Sequence, residues 1–189
     1  MHPRSYLLTS IALAALLVPA LAGAQEWYGG GSPFGHVRAF SGVTGAFAPG
    51  DPNSYGFGGL FEPKANIVDQ FAVGARFEAA VLGGLDATNP AAVVVSARMI
   101  FGGMVKGELS LLPGEVRPFV GAGLGWYAAV VLAGGLSSGT SGFAGNGPGV
   151  MPQVGVDLGW LRVAAQYHLL FGALGAASLF ALELSWRVY

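Results

Sequence analysis

The sequence contains no cysteine and few charged residues. Charged side chains make up 10% of its 189 residues, whereas an ordinary soluble domain has about 25%. The lack of cysteine excludes disulfides and thiolate metal sites. A net charge of −1 offers no basic surface for nucleic acid, and the glycine-rich stretches lack the Lys-Ser/Thr pattern of a phosphate-binding loop. We therefore expect no nucleic acid, nucleotide or other cofactor to bind.

Long uncharged apolar runs are also scarce. Beyond the N-terminal leader, only residues 119–136 could span a membrane as a helix. Their glycines at 121, 123 and 125 are two residues apart, not four as in helix-packing motifs. The positive-inside rule for helical membrane proteins requires basic residues to be concentrated in loops, and in this sequence they are not. With 53% hydrophobic residues and 32 glycines, the sequence favours a membrane β-barrel over a helical membrane protein or a soluble secreted β-protein.

Residues 1–24 have the organisation of a secretory signal peptide. Arg4 supplies a positive charge, residues 6–21 are apolar, and Ala22-Gly23-Ala24 forms a small-x-small cleavage site before Gln25. An uncleaved anchor helix fits less well, because small residues end the segment and no basic stop follows. Residues 25–189 would then form the mature domain. Its length suits eight strands with their turns, at roughly 20 residues each, and is too short for sixteen.

The basic residues beyond the leader all have apolar or small neighbours on both sides. Side chains along a strand alternate between its two faces, so this pattern predicts one charged and one apolar face. A soluble sheet buries its apolar face and exposes a polar one to water. This chain has more apolar strand faces than such a sheet could bury and too few charged residues to cover the rest. The sequence therefore predicts an all-β fold, an eight-stranded antiparallel up-and-down transmembrane β-barrel, with its apolar face toward lipid and its charges inside.

The same alternation gives approximate strand boundaries. Gly159-Trp160 is predicted to be a two-residue hairpin turn with glycine first, and Pro63 indicates a bulge or strand end. The longest predicted loop is the Gly- and Ser-rich segment 134–149, and shorter ones are expected at 48–54, 66–70, 86–90 and 112–115. The predicted strands are 37–47, 55–65, 71–82, 92–111, 116–132, 150–158, 161–171 and 178–189.

The inward phase of these strands carries both signs of charge, with basic groups in excess. An eight-stranded barrel is only wide enough for its own side chains, and unpaired charges there would be costly. We expect a ladder of paired charges that plugs the lumen; the alternative is a narrow anion-preferring pore. The inner glycines of strand five either accommodate bulky opposing side chains or leave a void. The predicted lumen charge network consists of Arg38, Glu62, Lys64, Arg76, Glu78, Arg98, Lys106, Glu108, Arg117, Asp157, Arg162, His168, Glu183 and Arg187.

Three segments resemble small bacterial outer-membrane β-barrel proteins of the OmpA/OmpX-like superfamily. They are residues 116–126, which read VRPFVGAGLGW, the hairpin around 154–167, and the closing strand at 178–189. The resemblance implies secretion to the outer membrane, contact with its lipid, recognition of the C-terminal strand by the barrel-assembly machinery, and a monomer. One departure is that Trp186 and Val188 hold the lipid-facing phase that the terminal aromatic residue usually occupies, whereas Tyr189 does not.

An enzymatic alternative comes from lipid A deacylases, which are eight-stranded barrels with a His/Ser/Glu triad on the outer face. His168 has an inward phase and is followed by two leucines rather than a nearby serine, so we expect a lumenal hydrogen-bonding histidine and no enzyme. His36 and His168 lack the carboxylate spacing of a metal site. The predicted role is structural, in envelope integrity or in surface interaction, although long polar adhesin-type loops are missing apart from 134–149.

Overall fold

The computed structural model describes residues 37–49, 55–86, 94–135, 138–174 and 178–188. The predicted leader and its cleavage site, much of the predicted loops at 48–54 and 86–90, and Tyr189 lie outside these residues. The described part of the chain contains one helical segment, a 3-10 turn at Gly172–Leu174. No helix in that part is long and apolar enough to cross a membrane.

Eight strands form a closed barrel in which each strand pairs with its neighbours in sequence order, always antiparallel. The last strand closes the barrel on the first, from Phe40↔Arg187 to Phe47↔Phe180. The predicted fold class is therefore confirmed. The strands are β1 (Val37–Phe47), β2 (Tyr55–Val68), β3 (Phe71–Asp86), β4 (Val94–Ser110), β5 (Val116–Gly135), β6 (Ser138–Leu158), β7 (Leu161–Leu170) and β8 (Leu179–Arg187).

The two ends of the barrel differ in their connections. At one end β2–β3 and β6–β7 are joined by two-residue turns, Asp69-Gln70 and Gly159-Trp160, and β4–β5 by residues 111–115. Gly159 has φ 69°, the positive value that a glycine-first hairpin turn requires. We refer to this as the short-turn end, which faces the periplasm in outer-membrane barrels. The opposite end carries the connections after β1, β3, β5 and β7.

Side chains alternate between an outer and an inner face. Along β7, Arg162, Ala164, Gln166 and His168 are buried in the lumen, whereas Val163 is 46% exposed. Exposed residues across the barrel are mostly large and apolar, and aromatic ones lie near both ends: Trp160 and Trp186 at the short-turn end, Tyr55 and Phe57 at the other. This apolar exterior with terminal aromatics is the lipid-facing surface of a membrane barrel.

The predicted loop at 134–149 is wrong, because most of it is strand. β5 and β6 pair continuously from Gly135↔Ser138 to Val116↔Leu158, with one register shift near Ala129 and Val130. Opposite that shift Gly145 has φ 144°, a conformation that glycine adopts readily at a bulge. The Gly- and Ser-rich composition suggested a loop, but pairing with β5 keeps this segment extended.

The barrel rim at the end opposite the short turns is uneven. β6 begins at Ser138, well before Gly149, its first pair with β7. β3 likewise continues to Asp86, beyond its last pair with β2 at Gly83. The strands β3 to β6 therefore form a wall that rises above the ends of the other four.

Several other predicted boundaries are displaced. β2 continues through Pro63 to Val68, so the turn is Asp69-Gln70 and not residues 66–70. Pro63 has no N–H for the ladder, and pairing to β3 pauses there, but the register resumes unchanged at Lys64 and shifts only between Asn66 and Val68. β3 and β5 end later than predicted, at Asp86 and Gly135. β4 and β7 each end one residue early, at Ser110 and Leu170, and β8 covers Leu179–Arg187, so that Ser178 and Val188 are not part of it.

The outward phase of β7 and β8 predicts a large effect of charge on one face only. Leu182 lies in the middle of β8, faces the outside of the barrel and pairs with Ala165 of β7. We expect Leu182→Arg to lower the free energy of unfolding in lipid by about 2–4 kcal/mol, the range for a site near the bilayer midplane, whereas Leu182→Met should change it little. Spin labels placed singly along β7 should alternate between lipid and polar accessibility. A helical period near 3.6 residues would contradict the strand assignment.

Candidate functional site in the barrel lumen

The most densely connected side chain in the lumen is Arg162 on β7. Its Nε donates to Asp157 Oδ1 at 2.6 Å and its Nη2 to Asp157 Oδ2 at 2.9 Å. Glu108 accepts from Nη1 and Nη2 at 2.9 and 2.8 Å, and Glu62 accepts from Nη1 at 2.9 Å. A guanidinium has five N–H donors, and all five are engaged. Three carboxylates from β2, β4 and β6 thus converge on one fully buried cation.

Two aromatic rings lie close to this guanidinium. The Phe40 ring centroid lies 4.4 Å from Arg162 Cζ and that of Phe119 lies 4.2 Å away. Both rings are fully buried, and cation–π contacts of this kind gain strength when they are desolvated. Lys64 Nζ also lies 4.6 Å from the Phe40 centroid. β1 and β5 therefore contact Arg162 through rings, as β2, β4 and β6 do through carboxylates.

Arg76 on β3 holds a second centre. Its Nη1 donates to Glu183 at 2.7 Å and to Glu62 at 3.2 Å, and its Nε donates to Glu78 at 2.9 Å. Gln153 and Ser185 also donate to Glu183, at 2.9 and 2.6 Å. Glu62 accepts from both arginines and so connects the two centres. The network therefore extends to β3 and β8.

Two lysines complete the buried network. Lys106 Nζ lies 2.8 Å from Glu62 and 3.3 Å from Glu108. Lys64 Nζ lies 2.7 Å from Glu108 and 3.9 Å from Asp157. Four cations, Lys64, Arg76, Lys106 and Arg162, thus face five carboxylates, Glu62, Glu78, Glu108, Asp157 and Glu183.

The remaining predicted basic residues lie outside this network. Arg98 and Arg187 are exposed, and Arg187 donates to the Gly159 carbonyl oxygen. Arg38 donates to Asn66 Oδ1 at 2.6 Å, and Arg117 to the Gly114 carbonyl oxygen. The expected basic excess in the lumen is therefore incorrect. Arg38, Arg117 and Arg187 bind groups near the short-turn end. Inward-facing residues at the end of a strand lie at the mouth of the barrel, where they can reach solvent.

His168 lies at the edge of the charged network, beside Glu78. Its Nδ1 is 3.0 Å from Tyr127 Oη and 3.1 Å from Glu78 Oε1, and it is 3% exposed. The histidine is thus lumenal, as its phase indicates, and does not face lipid. The described residues contain no cluster of His, Asp and Glu suited to a metal ion.

The other half of the lumen is apolar. Its buried cluster lies on the rim side of the charged network and comes from β1, β3, β4, β5, β6, β7 and β8. Charge patterning alone did not reveal this cluster, although Ile100 and Met104 share the phase of Lys106. The principal members are Ala46, Leu82, Ile100, Met104, Tyr127, Ala129, Met151, Leu170, Leu179 and Ala181.

The inner glycines of β5 accommodate bulky side chains. A Cβ on Gly123 would lie 2.9 Å from Met104 Sδ and 3.4 Å from Met151 Cε, and one on Gly121 would lie 3.4 Å from Lys106 Cε. The Tyr127 ring uses the same device, since Cβ atoms on Gly102 and Gly149 would lie within 2.8 Å of it. The inner glycines of β5 therefore make room for bulky side chains and do not leave a void.

Known structures share this fold at low sequence identity. Neisserial surface protein A is 16% identical, with a TM-score of 0.56, over 82% of this chain and 95% of that one. The attachment invasion locus protein Ail of Yersinia pestis, crystallised with the heparin analogue sucrose octasulfate, is 11% identical, with a TM-score of 0.52, over 80% of this chain and 95% of that one. Both are small eight-stranded outer-membrane β-barrels. The chain therefore has the fold of that class.

Sequence comparisons add nothing to this. No family model matches the chain, and no curated protein matches it.

The convergence on Arg162 predicts a large cost for its removal. Arg162→Met would leave three buried carboxylates with fewer cations, so we expect the free energy of unfolding in detergent to fall by about 3–5 kcal/mol. Arg187→Met, at an exposed arginine on the same inward phase, should change it by less than about 1 kcal/mol. Denaturant titration of both variants measures the difference. Equal effects would contradict the central position of Arg162.

Proposed function

We propose that the protein is a non-enzymatic integral outer-membrane β-barrel with a structural role, in envelope integrity or in contacts at the cell surface. Its apolar exterior and its fold support the membrane location. The observation that carries the proposal is the filled lumen, in which a paired ionic network and an apolar cluster lie in series. A barrel with a filled lumen offers no passage for solutes. Its rim is then the part of the molecule that can contact other molecules.

The charge balance of the lumen favours a plug over an anion-preferring pore. The pore alternative depended on an excess of basic groups, but four buried cations face five carboxylates. Their side chains bond to one another across the barrel instead of lining an open path. The cluster beyond them is made of apolar side chains apart from the Tyr127 hydroxyl, which contacts His168.

The uneven rim supports a role in surface contacts. The wall formed by β3 to β6 rises beyond the other strands at the end opposite the short turns, which is the outer side in membrane barrels of this kind. The hairpin β5–β6 carries no charge between Arg117 and Asp157. Such a surface is suited to uncharged partners.

The remaining associations in this proposal concern assembly and location. The signal-like leader directs secretion, outer-membrane lipid covers the exterior, and the chain acts as a monomer. The assembly machinery recognises β8, with Trp186 as the outward aromatic residue, since it is 40% exposed.

Conductance in planar bilayers tests the plug directly. We expect the refolded wild-type protein to show no steady channels. Glu183→Gln weakens the pairing of Arg76 and should lower the free energy of unfolding by about 3 kcal/mol, whereas Glu115→Gln, in an exposed turn, should not. Steady anion-selective channels in the wild type would contradict the plugged lumen and favour the anion-preferring pore. A Glu183→Gln variant with unchanged stability would show that these ion pairs do not hold the interior together.

A further inference from the structure

Four buried polar atoms near Glu183 lack a partner among the described residues. They are Arg76 Nη2, Gln153 Oε1, Gln166 Nε2 and Gln166 Oε1. Gln153 and Gln166 are cross-strand neighbours on β6 and β7, and Gln153 shares the Glu183 carboxylate with Arg76. The set contains two donors and two acceptors within one region of the lumen.

Gln166 is the most unusual of these residues. It is 2% exposed, yet neither end of its amide has a hydrogen bond. An unbonded buried amide is costly, and native proteins usually satisfy such groups with protein or water.

A small cavity adjoins this glutamine. It has a volume of about 20 Å³, and its lining includes the polar residues Thr44, Glu78, Gln166 and His168 and the apolar residues Ile100 and Leu179. About 10–15 Å³ is enough for one water molecule, provided that polar partners are present. Because Glu78 belongs to the ionic network and Leu179 to the apolar cluster, the cavity adjoins both.

We propose that this cavity is a binding site for one ordered water molecule, which hydrogen-bonds the Gln166 amide and links it to the polar groups around Glu78 and His168. Water fits the site because it both donates and accepts, as the two ends of the amide require. A larger ligand does not fit the volume. The ionic network and the apolar cluster both adjoin the site, so the water exchanges slowly with solvent.

The sign of a stability change distinguishes a hydrated site from an empty one. Gln166→Met keeps a similar volume and removes the amide. If a water is bound, its hydrogen bonds are lost and the unfolding midpoint in detergent should fall. If the cavity is empty, removing two unbonded polar atoms should leave the midpoint unchanged or raise it. Gln70→Met, in an exposed turn, is the matched control and should not shift the midpoint.

A second measurement uses the wild-type protein, so the proposal does not depend on folding of the variant. We expect NMR cross-relaxation between a long-lived water and the Gln166 side-chain amide protons in detergent micelles, with loss of that signal in Gln166→Met. A wild-type spectrum with resolved Gln166 amide protons and no such signal would overturn the proposal. So would an unchanged or raised midpoint in Gln166→Met.

Discussion

The fold of this barrel depends on the burial of one arginine. Arg162, on β7, is bonded by carboxylates from β2, β4 and β6 and contacted by rings from β1 and β5. The shared carboxylate of Glu62 connects it to Arg76 on β3, and Glu183 brings in β8. Every strand thus contributes a side chain to one connected group. If a strand shifted along its neighbour, these ion pairs would separate, and the buried charges would have neither a partner nor water.

We infer that these ion pairs contribute more to selecting the register of the barrel than to its free energy of unfolding. Removing charges from water is expensive, and mutual attraction in a buried site roughly offsets that cost. A wrong strand register would cost much more free energy than the correct pairing gains. A register slip of one residue would turn the inward charges of a strand toward lipid and its apolar residues toward the lumen. Alternation with a period of two and charge pairing therefore act together to select one register.

The sequence was sufficient for the class of fold and for the facing of most residues, because both follow from local alternation. It could not give the pairing of charges across the lumen. Glu183 binds Arg76, which is on β3, and not Arg187, which lies on the same strand as Glu183. Such contacts depend on how the strands tilt and stagger when the barrel closes, and no short segment records that geometry. The loop predicted at 134–149 failed for a different reason, because its Gly- and Ser-rich composition concealed a hairpin in which the segment pairs with the end of β5.

The aromatic contacts of Arg162 could have been found by extending the same alternation. Phe40 lies two residues after Arg38 and Phe119 two residues after Arg117, so each shares an inward phase. Charged residues mark only part of the inward phase, because apolar side chains occupy the rest of it. The lumen of a narrow barrel is a packed core as well as a charged one, and apolar residues fill the half where the charges stop.

A double-mutant cycle between Arg162 and Asp157 tests the central claim most directly. The single variants Arg162→Met and Asp157→Asn and their combination are compared by denaturant unfolding in detergent, with Arg162 and the exposed Glu115 as a control pair. Coupling of about 0.5–3 kcal/mol is expected for residues joined in one buried network, and none for the control pair. Additive effects for Arg162 and Asp157 would contradict the account, because the arginine would then not depend on the carboxylates that surround it.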